Sequence, residues 1–254
     1  MKNKVQEVLN SFEPISLKEM DRVKLMDRTD RKYNFNISLL PELLKMVRDD
    51  YRALEVEGTR MSRYETLYYD TPEFDLFQNH HNGKMNRYKI RLRRYVETKL
   101  TFFEVKFKNN KGRVIKKRVK NTNAENSITD NSRQLLESVA GMTPESIEPK
   151  LWVNYNRVTL VNNKQEERIT IDLDLEVKNN EAEADFTGLV IIEVKQAKVH
   201  ETPFVKCLKK MHIRKGGTSK YCLAVSKLIP DIKKNNFKPN ILAIQKIIDE
   251  TYTA

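Results

Sequence analysis

Cysteine is nearly absent from this chain. Cys207 and Cys222 are its only two, in no metal-ligand spacing, which excludes a disulfide framework and a cysteine-built metal centre and fits a reducing compartment. Histidine is also scarce, at four residues. His80 and His81 fall in a polar stretch that reads as mobile, and His200 and His212 are isolated, so no histidine-built metal centre is expected. No apolar run approaches the length of a membrane span, and the first residues lack the apolar core of a signal peptide. The expectation is a soluble cytoplasmic protein, with peripheral attachment at a membrane and a membrane-protein partner left open. There is no internal repeat, and the one biased stretch is the mildly Asn-rich connector 121–131. Acid is in deficit: 35 Asp plus Glu stand against 47 Lys plus Arg, a formal charge of +12 and a pI near 9.5. That balance points to anionic partners, namely phosphates, nucleic acid or acidic lipid. At 254 residues the chain can bury a sizeable core, and a single domain over 1–254 is expected.

What the chain does have is charge arranged with period two. Read as a strand, Arg87–Tyr95 places Lys89, Arg91, Arg93 and Tyr95 on one face and Tyr88, Ile90, Leu92 and Arg94 on the other. Phe102–Lys108 likewise sets Glu104, Lys106 and Lys108 against Phe103, Val105 and Phe107. Leu189–Lys195 sets Glu193 and Lys195 against Ile192 and Val194.

Around these strands, Lys4–Asn10 reads as a short amphipathic helix, and Ser16 with Glu19 three residues on is a helix-start signature. Residues 20–26 read as a helix end or a first strand. Arg28–Asn36 alternates around Lys32, and Ser38–Tyr51 is apolar at helical spacing, with Ser38 as its cap and Pro41 in its first turn. Arg63–Asp70 is a strand, ended by Asp70-Thr71-Pro72 and a short helix through Phe74, Leu76 and Phe77. A meander follows over 86–96, 100–108 and 113–120, then a helix Arg133–Ala140. Strands are expected at Trp152–Leu160, Arg168–Val177 and Leu189–Lys195, and helices at Thr202–Met211, Tyr221–Leu228 and Ile241–Ile248. The count is about eight strands with helices at edges and ends, an α+β chain.

An antiparallel sheet with charge on one face of nearly every strand cannot turn that face into a dry core, because unpaired buried charge is costly. The positions are Lys89, Arg91 and Arg93; Glu104, Lys106 and Lys108; Lys116, Arg118 and Lys120; Arg157; Arg168, Asp172 and Asp174; Glu193 and Lys195. With the intervening apolar residues packed outward on helices, closure gives an antiparallel β-barrel whose lumen is basic with a few carboxylates. Arg forks suit phosphate oxygens, and a carboxylate such as Glu193 suits a hard divalent cation. Taken singly, a basic strand face is usually solvated, and Glu104 or Glu193 can equally pair with lysines across strands. Asp172 and Asp174 can be turn-side or solvent residues, and the aromatics of 64–77 read as core or wall packing, not a base-stacking platform. Gly216-Gly217 reads as a loop before the helix of Ser219-Lys220.

The motifs Arg28-Thr29-Asp30-Arg31-Lys32-Tyr33, Tyr68-Tyr69-Asp70-Thr71, Ile90-Arg91-Leu92-Arg93, Phe103-Glu104-Val105-Lys106, Asn154-Tyr155-Asn156-Arg157, Ile192-Glu193-Val194-Lys195 and Ser219-Lys220-Tyr221 occur in this order. Together they resemble the polyphosphate polymerase domain of the vacuolar transporter chaperone (VTC) family, one of the triphosphate tunnel metalloenzymes, over about 28–228. The resemblance implies an eight-stranded antiparallel tunnel with helices outside. It also implies transfer of the γ-phosphate of ATP to a growing polyphosphate chain with manganese or magnesium. Position by position, Lys32 resembles the basic residue that begins the wall, and Arg91 and Arg93 the pair that grips the triphosphate. Lys106 and Lys116 resemble further wall positions, with Lys117 the alternative to Lys116. Arg157 and Arg168 resemble two more phosphate ligands, with Tyr155 sharing the site. Glu193 is similar to the metal-binding glutamate, with Lys195 beside it, and Ser219 and Lys220 to the pair that closes the tunnel from a C-terminal helix. The Glu-x-Glu-x-Lys signature of the triphosphatase and adenylate cyclase branches is missing, its place taken by Arg28 to Tyr33, which favours the polymerase branch. The expected function is a metal-dependent phosphotransferase that makes polyphosphate from ATP. Nucleotide would enter one end of the tunnel and product leave by the other. A tunnel triphosphatase, a non-catalytic polyphosphate-binding module and, as a poorer match, a nucleic-acid binder are the alternatives.

Overall fold

Alternating apolar and charged residues dominate the middle of the chain, and there it forms strands; helices appear where the apolar spacing changes to three and four. The computed structural model describes residues 2–20, 29–122 and 127–250. In chain order the elements are α1 (Lys2–Asn10), β1 (Glu13–Ile15), α2 (Leu17–Met20), β2 (Thr29–Asn36), α3 (Leu40–Val47), β3 (Tyr51–Leu54), β4 (Ser62–Asp70), α4 (Asp75–His81), β5 (Arg87–Tyr95) and β6 (Leu100–Lys108). They continue with β7 (Val114–Lys120), α5 (Asp130–Ala140), β8 (Glu148–Asn162), β9 (Glu167–Lys178), β10 (Glu183–Asp185), β11 (Leu189–Gln196), α6 (Pro203–Lys210), α7 (Lys220–Leu228) and α8 (Lys238–Asp249).

All the described strands join one sheet, and eight lie on a single antiparallel path, β2-β11-β9-β8-β4-β5-β6-β7. The short strands β1, β3 and β10, which the sequence did not announce, attach at its side and bring the described count to eleven. The expected closed barrel is not formed. β2 and β7 are the two ends of the path, and no pairing joins them among the described residues. β7 stays exposed along nearly its whole length; its run of Lys116, Lys117, Arg118 and Lys120 is the kind of charged edge that resists further strand addition.

The open sheet is strongly curled all the same. Laid flat, Lys32 on β2 and Lys106 on β6 would lie about 29 Å apart, six strand spacings. Yet Lys32 is among the charges that depress both Lys106 and Lys89. The segment before α7 runs along β2 and reaches β5: Lys215 bridges to Tyr33, the Gly216 N–H donates to the Lys32 carbonyl at 3.0 Å, and Ser219 accepts from Lys89 Nζ. The fit is tight, since a Cβ at Gly216 would approach Asn34 Nδ2 to 3.1 Å.

Helices cover the convex face. Phe35, Ile171, Ile192 and Val194 pack with α1, α3 and α6, while Leu92, Phe103 and Val105 pack on Leu135 and Leu136 of α5. On the concave face, Leu151, Val153, Leu175 and Ile191 form a second apolar surface, filled by α7 and by Ile244 of α8. A bulge in the β8–β9 ladder, with Asp174 at φ 50°, shifts the register. The shift lets Leu175 and Val177 share the face of Thr170 and Asp172. Seven of the nine residues of α7 are buried, so this helix stoppers half the concavity, unlike the passage expected to be open at both ends.

Smaller differences have local causes. Asn36, whose side chain accepts from the Ser38 N–H, does the capping expected of Ser38, while Pro41 does sit in the first turn of α3. His80 and His81 are held in α4: His81 is buried, and His80 Nδ1 lies 3.2 Å from Cys222 Sγ. The expected helix end or strand at 20–26 falls, from residue 21 on, outside the described residues, as does Arg28. No described helix is long and apolar enough to cross a membrane.

Candidate active site

The half of the concave face that α7 leaves free is lined by charge. Register sets Lys32 beside Glu193, Glu193 beside Thr170, Arg157 beside Asp172, Arg91 between Tyr68 and Glu104, and Lys106 between Lys89 and Lys116. Three carboxylates organise these cations. Glu104, 1% exposed, accepts from Arg91 Nε at 2.7 Å and is ion-paired with Arg91 Nη2 at 2.6 Å and Lys116 at 2.5 Å, with Arg93 at 4.0 Å. Burial opposes its ionisation, but Arg91, Arg93 and Lys116 together hold it well below the usual carboxylate range.

Asp172, also 1% exposed, takes two parallel bonds from Arg157 at 2.6 and 2.7 Å and one from Lys220 Nζ at 2.5 Å. Burial again opposes the charge, and Arg157 and Lys220 overcome it, bringing the group down to about 2. The expected turn-side or solvent role for Asp172 is therefore wrong: it joins β9, β8 and α7. Asp174 is peripheral, held by Asn156 at 2.6 Å and Lys2 at 3.0 Å. Glu193 lies 3.1 Å from both Lys32 and Lys195. Its ionised form is strongly favoured in spite of burial, chiefly by Lys195 and then Lys32.

The lysines show the opposite strain. Burial pushes Lys89, Lys106 and Lys195 down to about 8. Neighbouring Lys89, Arg91 and Lys32 add to the effect at Lys106, whereas Glu193 opposes it at Lys195. Such a wall is short of anionic charge.

α7 contributes from the other side. Ser219 caps it, accepting from the Cys222 N–H, and also accepts from Lys89 Nζ at 2.7 Å. The Thr218 carbonyl accepts from Lys32 Nζ at 3.1 Å. The helix is anchored by Asp70, fully buried, which accepts the N–H groups of Thr71, Leu76 and Phe77 and the Tyr221 hydroxyl. Tyr155 forms a floor, its buried ring under the Arg157 guanidinium at 5.2 Å and Lys220 Nζ at 4.8 Å.

The structure thus brings together Lys32, Arg91, Arg93, Lys106, Lys116, Arg157, Glu193, Lys195 and Lys220. Arg91 and Arg157 share one surface: Tyr155 is among the groups that favour the charge on Arg91, and Arg93 and Arg157 both face the Tyr64 ring. Arg168, opposite Lys195, is at the margin. Lys116 has the place that Lys117 could have taken, because Lys117 alternates to the convex side beside Val105. Lys89 and Asp70 were not singled out as site residues. Lys89 lay in the cationic period-two set and Asp70 in the Tyr-Tyr-Asp-Thr motif, but their burial and bonding come only from the packing of α7.

Among the described residues no three His, Cys, Asp or Glu side chains gather as a metal cage. Glu104 and Asp172 are taken up by cations, and Glu193 keeps 21% of its side chain exposed. One carboxylate with phosphate oxygens and waters is a donor set that magnesium or manganese accepts when carried in on a triphosphate. The residues fit a metal of that kind, which Glu193 would hold.

The sequence matches the family model described as the VTC domain over residues 27–229. No curated protein matches it. Similar solved structures include an adenylyl cyclase candidate from Hippeastrum, described as having a dominant triphosphatase activity, at 15% identity, 81% of this chain, 98% of that one and a TM-score of 0.48. Adenylate cyclase candidates from Vibrio parahaemolyticus (15% identity, 78% and 99% covered, TM-score 0.47) and Bacillus halodurans (12%, 80% and 100%, TM-score 0.46) are also similar.

Proposed function

This chain belongs to the VTC domain family, and we propose that it is a metal-dependent polyphosphate polymerase, moving the γ-phosphoryl group of ATP onto a polyphosphate chain. The observation that carries this reading is the cationic half of the concave face, where nine or ten Lys and Arg side chains surround one accessible carboxylate, Glu193. Phosphoryl transfer asks a protein mainly to position and to neutralise. Arg91, Arg93 and Arg157 would fork onto phosphate oxygens, and Lys32, Lys106, Lys116, Lys195, Lys220 and marginal Arg168 would spread charge along a polyanion. A divalent cation at Glu193 would supply Lewis-acid charge to the transferred group. No protein nucleophile is needed. Incubation with ATP and manganese, read by gel for long-chain product, tests the reading; phosphate release without long chains would instead support a triphosphatase.

Two binding results are expected. Affinity for inorganic triphosphate falls as salt is raised, because the site is electrostatic. It also falls as pH rises past 8. Lys89, Lys106 and Lys195 titrate near 8 in the free protein, and an anion favours their protonated forms. Binding at pH 8 should therefore take up protons, and binding at pH 6 should not. Calorimetry in two buffers of different ionisation enthalpy measures this, and equal heats at pH 8 would contradict it.

A further inference from the structure

We propose that the nucleobase of the nucleoside triphosphate stacks on a half-buried aromatic platform formed by Tyr64, Tyr95 and Phe102, at the arginine end of the concave face. The inference rests on the phosphotransferase reading, adds a site for the part of the substrate that is not phosphate, and for Tyr64 replaces the core-or-wall reading of the aromatics of 64–77. Tyr64 on β4 pairs with Tyr95 on β5, and Phe102 on β6 pairs with Arg93, so the three rings share the face of the phosphate wall. They are in mutual contact: the Tyr64 and Tyr95 centroids are 4.9 Å apart at 61°, and those of Tyr95 and Phe102 5.9 Å apart at 89°.

Guanidinium groups frame the rings. Arg93 and Arg157 lie 5.6 and 4.9 Å from the Tyr64 centroid, and exposed Arg118 lies 4.5 Å from that of Phe102. Planar guanidiniums and aromatic rings are the two protein surfaces on which bases stack. Burial separates these rings from the other sheet aromatics of the concave face: Tyr68 and Tyr155 are buried, whereas Tyr64, stacked on Tyr155 at 5.4 Å, and Tyr95 and Phe102 keep solvent contact. Beside them, at the β5–β6 turn, Val96 and Leu100 are each 37% exposed, an apolar rim on a chain of net charge +12.

The placement also gives the nucleotide a direction. Tyr95 is two residues from Arg93 and four from Arg91 along β5, about 7 and 14 Å of strand. A ribose can bridge from the platform to phosphates gripped by the arginines. The phosphate tail then points to Lys106, Lys89 and Lys32 beneath the Ser219 cap. The reverse orientation would set the base among buried lysines that have no aromatic face free beside them.

The test compares a non-hydrolysable ATP analogue with inorganic triphosphate, by calorimetry on the full chain. Tyr95→Leu and Phe102→Leu should each weaken the analogue about tenfold, the scale of one base–aromatic stack, and inorganic triphosphate by less than about twofold. Tyr95→Phe, which keeps the ring, should retain analogue binding. A 2-aminopurine riboside triphosphate should be quenched by the wild type and less so by either leucine variant. Equal losses for both ligands, or none for the analogue, overturn the platform and leave the phosphate site standing. A wild type that binds neither ligand overturns both readings.

Discussion

Glu193→Ala is expected to lower manganese-dependent phosphoryl transfer by roughly 100- to 1000-fold, the usual cost of losing one key electrostatic stabiliser, while phosphate binding survives. The surroundings of Glu193 make the separation sharp. Its oxygens lie 3.1 Å from Lys32 and Lys195, so removing it frees two ammonium groups and deletes one negative charge from a basic wall. Metal-free triphosphate should then bind as tightly as before or more tightly. Turnover with manganese and calorimetry without metal distinguish the two effects in one variant. Full manganese-dependent activity in Glu193→Ala would show that the metal is not held there. A parallel loss of metal-free binding would make Glu193 a structural pair for the lysines and not a metal ligand.

How much of this was legible in the sequence follows from the period-two pattern. Lys89, Arg91 and Arg93 share a face because a strand leaves them no choice, and the same parity sets Glu104, Lys116, Glu193 and Lys195 on the charged faces, where Glu104 meets Lys116 and Glu193 meets Lys195. Parity along a strand says nothing of how its sheet ends. The expected barrel needed β2 to pair with β7, whereas the link across the concave face, from β2 to β5, is made by residues 215–219 of a loop that carries no strand pattern. Nor does parity survive a bulge. Past Asp174 the faces exchange, so the apolar floor that receives α7 was not visible in the alternation. Asp172 was misread for a related reason: its partners Arg157 and Lys220 come from another strand and a distant helix, and only their meeting turns an ordinary aspartate into a buried hub.

That hub gives the largest expected loss of stability. Asp172→Ala leaves the Arg157 and Lys220 side chains, 14% and 12% exposed, without their shared carboxylate. Breaking such a pair typically costs about 3–5 kcal/mol because the remaining charge stays buried. For a chain of this size that corresponds to a fall of roughly 10 °C in Tm. Glu176→Ala, which removes the half-exposed partner of Arg63, should shift stability by no more than about 0.5 kcal/mol. Acid should report the same group. The folded-state value of Asp172, about 2, lies below its ordinary 3.8, so its contribution is present above that ordinary value and is lost as pH falls through 2; the variant should lack this share of the acid transition. Inorganic triphosphate carries the anion that the variant lacks, and should raise its Tm more than it raises that of the wild type. Equal rises would mean that Arg157 and Lys220 are not exposed to the ligand in either protein, and would remove them from the phosphate-binding wall.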